Sequence, residues 1–210
     1  MNKLIIFDFD GVLRDASWNH LYSAYKKLVE AMGKNPEIFF TNLASFKKWY
    51  NIDWHKNEIR ILGLDEYVPS PEFNRIFHEN YDPLLGIFPW VPDALAHLSK
   101  KYTLVIFSSS SRLSVKTALG DLSRFFSLIV GSEDVTRLKP HPEGVFLALN
   151  ITKTAADETL MIGDMNVDYL AAKNAGVKTG LVKWGMGEWE DLTNLKPDYL
   201  FEKPEDLLSF

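Results

Sequence analysis

Apolar positions along this chain follow two rhythms. Residues 4–7, Leu-Ile-Ile-Phe, form an unbroken apolar run that stops at Asp8; without alternation, the run predicts a strand buried on both faces, as at the centre of a parallel sheet. Comparable short runs at 103–107, 128–131, 160–163, 177–183 and 199–201 predict further strands. Helical spacing over 92–98, 112–119, 142–149 and 167–174 fills the gaps, and this alternation implies right-handed βαβ crossovers in one parallel sheet. Between 17 and 81 only the helical rhythm remains. Trp18, Leu21, Tyr22, Tyr25, Leu28, Val29 and Met32 share one face, with Ser17 as a cap and Gly33 as a stop. Helices are also predicted over 36–50, 53–62 and 70–81. The expected fold class is α/β: a doubly wound, Rossmann-like parallel sheet core of residues 1–14 and 86–210 with an inserted all-helical cap domain of residues 15–85.

Composition narrows the chemistry. None of the 210 residues is cysteine, which excludes disulfides, thiolate metal sites and cysteine nucleophiles. Net charge is −5 with the basic residues scattered, so no basic stripe points to nucleic acid or an anionic membrane. The apolar stretch after Met1-Asn2-Lys3 ends within four residues, too short for a signal peptide or a membrane span. The expectation is a cytoplasmic protein, monomer or homodimer.

Polar residues gather where the predicted strands end. Asp8 and Asp10 follow the first, Ser108-Ser109-Ser110-Ser111 the second, Lys139 comes after the third, and Asp164 and Asp168 follow the fourth. Parallel strands point the same way, so these groups converge on one rim of the sheet, the ligand-binding side of open α/β folds. Asp8 and Asp10, two positions apart, face the same way if strand geometry persists, and such a pair needs a cation or a shared proton. Two rival motifs fail. An EF-hand loop beginning at Asp164 would need Gly and Glu where Tyr169 and Ala175 stand. Gly185-Met186-Gly187 is followed by Glu188-Trp189-Glu190, not by the third glycine of a dinucleotide fingerprint.

Four segments, in order, resemble the motifs of the haloacid dehalogenase superfamily: Asp8-Phe9-Asp10-Gly11-Val12-Leu13-Arg14-Asp15, Leu104-Val105-Ile106-Phe107-Ser108-Ser109, Lys139-Pro140-His141-Pro142-Glu143, and Gly163-Asp164-Met165-Asn166-Val167-Asp168 with Ala171–Gly176. The resemblance is to its phosphatases with a helical cap, phosphoglycolate phosphatases and β-phosphoglucomutases among them. It implies Mg²⁺-dependent hydrolysis of a small-molecule phosphomonoester through an aspartyl-phosphate on Asp8, with Asp10 as acid and base. It further implies Ser108 and Lys139 on the phosphoryl oxygens, Ser109 and Ser110 as main-chain donors, and Mg²⁺ held by the Asp8 side chain, the Asp10 carbonyl and Asp164, supported by Asp168. Arg14, beside the hinge, is a candidate to reach a substrate anion. The cap would close over the site and select a small phosphorylated metabolite, with Lys47, Lys48, Trp49, His55, Lys56, Arg60, Arg75 and His78 as candidate contacts. A sugar phosphomutase of the same superfamily is the alternative. A receiver-like signalling domain fits less well, because there the acidic pair lies near the start and the phosphorylated aspartate ends a middle strand, whereas here a second acidic pair, Asp164 and Asp168, follows the lysine and a cap is inserted.

Overall fold

The first apolar run does become the middle of the sheet. The computed structural model describes residues 3–51 and 53–209; residues 1, 2 and 210, the ends of the expected core segments, lie outside them. Strand β1 (Leu4–Phe7) is buried at every position and pairs in parallel with β2 (Thr103–Phe107) on one side and β4 (Thr159–Gly163) on the other. Strand β3 (Leu128–Val130) lies outside β2, while β5 (Lys178–Val182) and β6 (Tyr199–Phe201) extend the other edge. The order β3-β2-β1-β4-β5-β6, all parallel, is the doubly wound arrangement expected.

By contact the chain divides into one unit of Met1–Asp15 with Gly86–Phe210 and a second of Ala16–Leu85. Strand residues of the first unit alternate between two apolar layers, as the two-residue period of a strand requires. Ile5, Phe7, Leu104 and Ile106 pack with Val91, Leu95, Leu98, Val115 and Leu119. Leu4, Ile6, Val105 and Phe107 pack on the other face with Val145, Ala148, Ala171 and Ala172.

The second unit is helical. Its members are α1 (Trp18–Ala31), α2 (Leu43–Trp49), α3 (Trp54–Leu62) and α4 (Pro71–Tyr81). Ser17 caps α1 by accepting from His20 N, and Ser70 caps α4 by accepting from Phe73 N. The single helix predicted over 36–50 is instead a 3₁₀ turn, Pro36–Ile38, followed by α2. Asn42 and Ser45 cause the break: Asn42 Oδ1 accepts from Ser45 N at 2.9 Å and Ser45 Oγ accepts from Asn42 N at 3.0 Å. This reciprocal box starts a fresh helix where apolar spacing alone predicts continuity. Phe46 is fully buried and packs against Trp18, Tyr22, Tyr25, Phe40, Trp49 and Tyr50.

In the first unit, helices α5 (Val91–Leu98), α6 (Arg112–Leu119), α7 (Glu143–Thr152) and α8 (Asn166–Ala175) connect the strands. A short α9 (Trp189–Asn194), not anticipated from the sequence, precedes β6. No helix among the described residues is long and apolar enough to cross a membrane.

Because Phe46 is the ring the other aromatic residues share, Phe46→Ala should lower stability by about 3–5 kcal/mol in chemical denaturation. A loss below about 1 kcal/mol would mean that the aromatic cluster does not hold the helical unit together.

Candidate active site

The register of the three central strands decides which side chains meet. Phe7 lies level with Ile106 and Ile162, so the next residues of each strand emerge together at the carboxyl edge. Asp8 continues the ladder through Asp8 N donating to Ile162 O at 2.8 Å, and Ser108 does the same through Ser108 N to Val130 O at 3.0 Å. Phe9 turns into the core at 0% exposure, which fixes the chain between the two aspartates.

Asp8, Asp164 and Asp168 bring carboxylate oxygens within 4.8 Å of one another, all three buried. Lys139 lies between two of them, its ammonium 2.8 Å from Asp8 Oδ1 and 2.6 Å from Asp168 Oδ1. Asp168 stands in the first turn of α8, and its Oδ2 accepts from the backbone N–H of Asp164 at 3.2 Å and of Met165 at 3.0 Å. Both Asp168 oxygens therefore have protein partners. Asp164 differs. Its Oδ2 accepts from Met186 N at 2.7 Å, but its Oδ1, fully buried, has no hydrogen-bond partner among the described residues.

Charge makes the cluster incomplete by itself. Three ionised carboxylates against one ammonium leave two negative charges in a site shielded from water, where desolvation is costly and repulsion is poorly screened. Burial first, then the Asp168 charge, push Asp8 up to about 7 in spite of Lys139. Burial and the charges of Asp168 and Asp8 hold Asp164 well above the ordinary carboxylate range. Burial would lower Lys139, but the charges of Asp168 and Asp8 outweigh it and raise the amine above its usual value. An orphaned carboxylate oxygen beside two unbalanced charges fits a hard divalent cation with oxygen ligands.

Glycines allow this crowding. A Cβ on Gly11 or Gly185 would overlap the Asp164 carboxylate, and Gly11 also has φ +82°. The segment after β5 thereby presses its main chain against Asp164, delivering the Met186 N–H, while Trp184 Nε1 donates to Val12 O at 3.1 Å. None of these contacts was anticipated from the sequence. Two glycines one residue apart just beyond a strand were the available sign of close backbone approach.

The remaining candidates form a second group. Asp10, whose side chain is 17% exposed, accepts from Arg14 Nε at 2.6 Å and from Ser110 Oγ at 2.7 Å. Its carboxylate is not part of the buried three-carboxylate cluster, and the role expected of its main-chain carbonyl is independent of that. Arg14, expected as a hinge residue able to reach an anion, is 1% exposed and its guanidinium lies 4.9 Å from the Phe9 ring centroid. Ser108 is buried with its Oγ accepting from Ser110 N at 3.0 Å. The Ser110 N–H, expected as a phosphoryl donor, is thus turned onto Ser108. At the start of α6, Glu133 takes the Arg112 N–H and Ser111 caps Ser114 N. Ser109 is half-buried in the same loop.

In the helical unit several candidate contacts have local partners. Arg75 pairs with Glu79 at 2.8 Å, His78 with Asp82 at 3.1 Å and Lys56 with Asp53 at 3.7 Å. Arg60 donates to Trp49 O at 2.6 Å, and the His55 ring lies 3.8 Å from that of Tyr67. Lys47 lies over Trp18, and Trp49 packs among Phe39, Phe40 and Phe46.

The family model described as haloacid dehalogenase-like hydrolase matches residues 5–182. A protein named pyrophosphatase PpaX from Oceanobacillus iheyensis is 31% identical over 99% of this chain and 95% of its own length. Another of that name, from Bacillus mycoides, is 34% identical over 97% of this chain and 94% of its own. Among solved structures, a haloacid dehalogenase-like hydrolase from Bacteroides fragilis superposes with a TM-score of 0.80 at 24% identity, covering 99% of this chain and 100% of that one. A Thermotoga maritima protein described provisionally as a β-phosphoglucomutase gives 0.73 at 25%, covering 99% and 97%.

The raised Asp8 carboxyl yields a pH test. The folded chain keeps the Asp8 proton up to about 7, whereas the group ordinarily releases it near 3.8. Folding therefore binds a proton between those values, and metal-free stability falls as pH rises across that window. Thermal melts near pH 5 and near pH 8 in chelator should show a steeper fall for wild type than for Asp8→Asn. Parallel profiles would show that Asp8 is not the group being forced to ionise.

Proposed function

The chain belongs to the haloacid dehalogenase-like hydrolase family, and from that premise we propose that it hydrolyses a small phosphorylated compound through a phosphoryl group carried on Asp8, with Mg²⁺ as cofactor. It is a phosphatase. The observation that carries the proposal is the buried arrangement of Asp8, Asp164 and Asp168 about Lys139 with Asp164 Oδ1 left unsatisfied.

Asp8 is the nucleophile. Its position at the end of the central strand fixes the carboxylate at the rim, and Lys139 at 2.8 Å favours its ionised form. Lys139 also offers positive charge to the incoming phosphoryl oxygens, and the buried Ser108 hydroxyl donates to one of them, with Ser109 beside it. Asp10 gives a proton to the leaving group and later takes one from water. The cation would be held by the Asp8 side chain, the Asp10 carbonyl and Asp164, while Asp168, both oxygens engaged, orients Lys139 and the turn that carries Asp164. When bound, Mg²⁺ supplies two positive charges that offset repulsion between the carboxylates and the phosphoryl group.

Inorganic pyrophosphate heads the substrate proposal, because relatives covering nearly the whole chain are named for it. A phosphomonoester is the second reading, resting on the family resemblance of the motifs. In pyrophosphate the leaving group is itself phosphate, an anion that departs with less help from a proton donor than an alcohol needs.

Phosphate release should be measured on pyrophosphate, p-nitrophenyl phosphate, acetyl phosphate and several sugar phosphates. Turnover should require Mg²⁺, and Asp8→Asn should lower kcat by at least about 10³-fold. Equal release by wild type and variant would defeat the proposal, and conversion of a sugar phosphate to its isomer without phosphate release would move it to a mutase.

A further inference from the structure

We propose that Ser110, together with Arg14, is a positioning residue for Asp10: the two clamp its carboxylate in the orientation needed to take a proton from water during hydrolysis of phosphorylated Asp8. The inference rests on the reading above of Asp8 as nucleophile and Asp10 as acid and base.

Asp10 lies beyond the end of β1, where its backbone forms only an isolated bridge with Arg14 and no strand ladder sets its side chain. Its two oxygens are instead taken by donors from separate parts of the chain: Arg14 Nε on Oδ1 at 2.6 Å, four residues away, and Ser110 Oγ on Oδ2 at 2.7 Å, a hundred residues away. Both anchors are themselves held by further contacts. Arg14 is 1% exposed against Phe9, its N–H donates to Phe9 O at 2.9 Å, and its carbonyl accepts from Gly11 N at 2.9 Å. Ser110 donates its N–H to Ser108 Oγ at 3.0 Å, and its carbonyl accepts from Ser132 N at 3.1 Å. A carboxylate tied at both oxygens to fixed donors has one rotamer, and such pre-organisation is where a displacement of about 1 Å costs on the order of 10²-fold in rate.

The clamp also explains why four serines follow β2 with different tasks. Ser108 is buried and carries the hydroxyl assigned to the phosphoryl group, whereas Ser110 spends its hydroxyl on Asp10 and its N–H on Ser108. One loop therefore links the proton-transfer group to the phosphoryl-binding hydroxyl.

In the second half-reaction a water oxygen bonds to phosphorus, the bond between phosphorus and the Asp8 oxygen breaks, and its electron pair returns to the Asp8 carboxylate. The water proton passes to Asp10, and phosphate leaves. A misaligned Asp10 slows this step more than it slows loading of Asp8 from a donor whose leaving group departs as an anion. The phosphorylated form should then accumulate.

The test is acid quench of steady-state reactions with radiolabelled pyrophosphate or p-nitrophenyl phosphate, whichever turns over faster. Ser110→Ala should cut kcat by about 10–100-fold with KM falling alongside it, so that kcat/KM changes less than about threefold, and should carry label on a larger fraction of chains than wild type. Ser110→Thr, which keeps the hydroxyl, should recover the rate, and Arg14→Lys should shift in the same direction as Ser110→Ala. Adding Ser110→Ala to Asp10→Asn should cost nothing further, since a residue acting through Asp10 has no effect in its absence. A fall in rate without accumulated label, a further loss in the double variant, or an unchanged Ser110→Ala would each overturn the inference. Wild-type turnover by Asp8→Asn would instead remove the parent reading.

Discussion

Three buried carboxylates share one ammonium in this protein, and the rest of the first unit is arranged to keep them there. Asp8, Asp164 and Asp168 would carry three negative charges when ionised, Lys139 supplies one positive charge, and none of the four side chains has free access to water. In bulk water such a set would simply separate. A parallel sheet denies it that option, because its strand ends are fixed by ladders of hydrogen bonds and by apolar layers on both faces. The imbalance is thus a property of the backbone, transmitted to side chains that have nowhere else to go. A divalent cation meets it in charge and in ligand type.

The same constraint explains the division of labour among the acidic residues. Asp168 is saturated by Lys139 and two backbone N–H groups, so it serves as a fixed support at the start of α8. Asp164 is held by one backbone donor and left with a bare oxygen. Asp8 faces the ammonium from the central strand and becomes the group most affected by what enters the site. The Asp10 carboxylate stands apart from the cluster with its own donors, which suits the proton exchange proposed for that side chain and leaves only its main-chain carbonyl for the proposed cation. Catalysis of phosphoryl transfer depends on such placement, since there is little covalent work for the protein beyond positioning and charge compensation.

Much of this was legible in the sequence because the informative signals were local. An unalternating run ending in Asp8 marks a central strand, and the ordered strand-end residues Asp8, Ser108, Lys139 and Asp164 mark the rim. Signals depending on pairing across the fold were not legible. Nothing local says which of four consecutive serines turns toward Asp10, or that Arg14 is buried against Phe9 and engaged with Asp10. The glycines around Trp184 and Met186 act through contact with Asp164, a residue some twenty positions earlier. In the helical unit, the break before α2 arises from a reciprocal Asn42–Ser45 contact that apolar spacing cannot register.

Calorimetric titration of Mg²⁺ into the metal-free protein, beside Asp164→Asn, addresses the charge imbalance most directly. One ion per chain should bind to wild type, and removing the carboxylate whose oxygen is left bare should weaken binding by at least about tenfold. Saturable binding that is unchanged in Asp164→Asn, or no binding to wild type at all, would contradict the account.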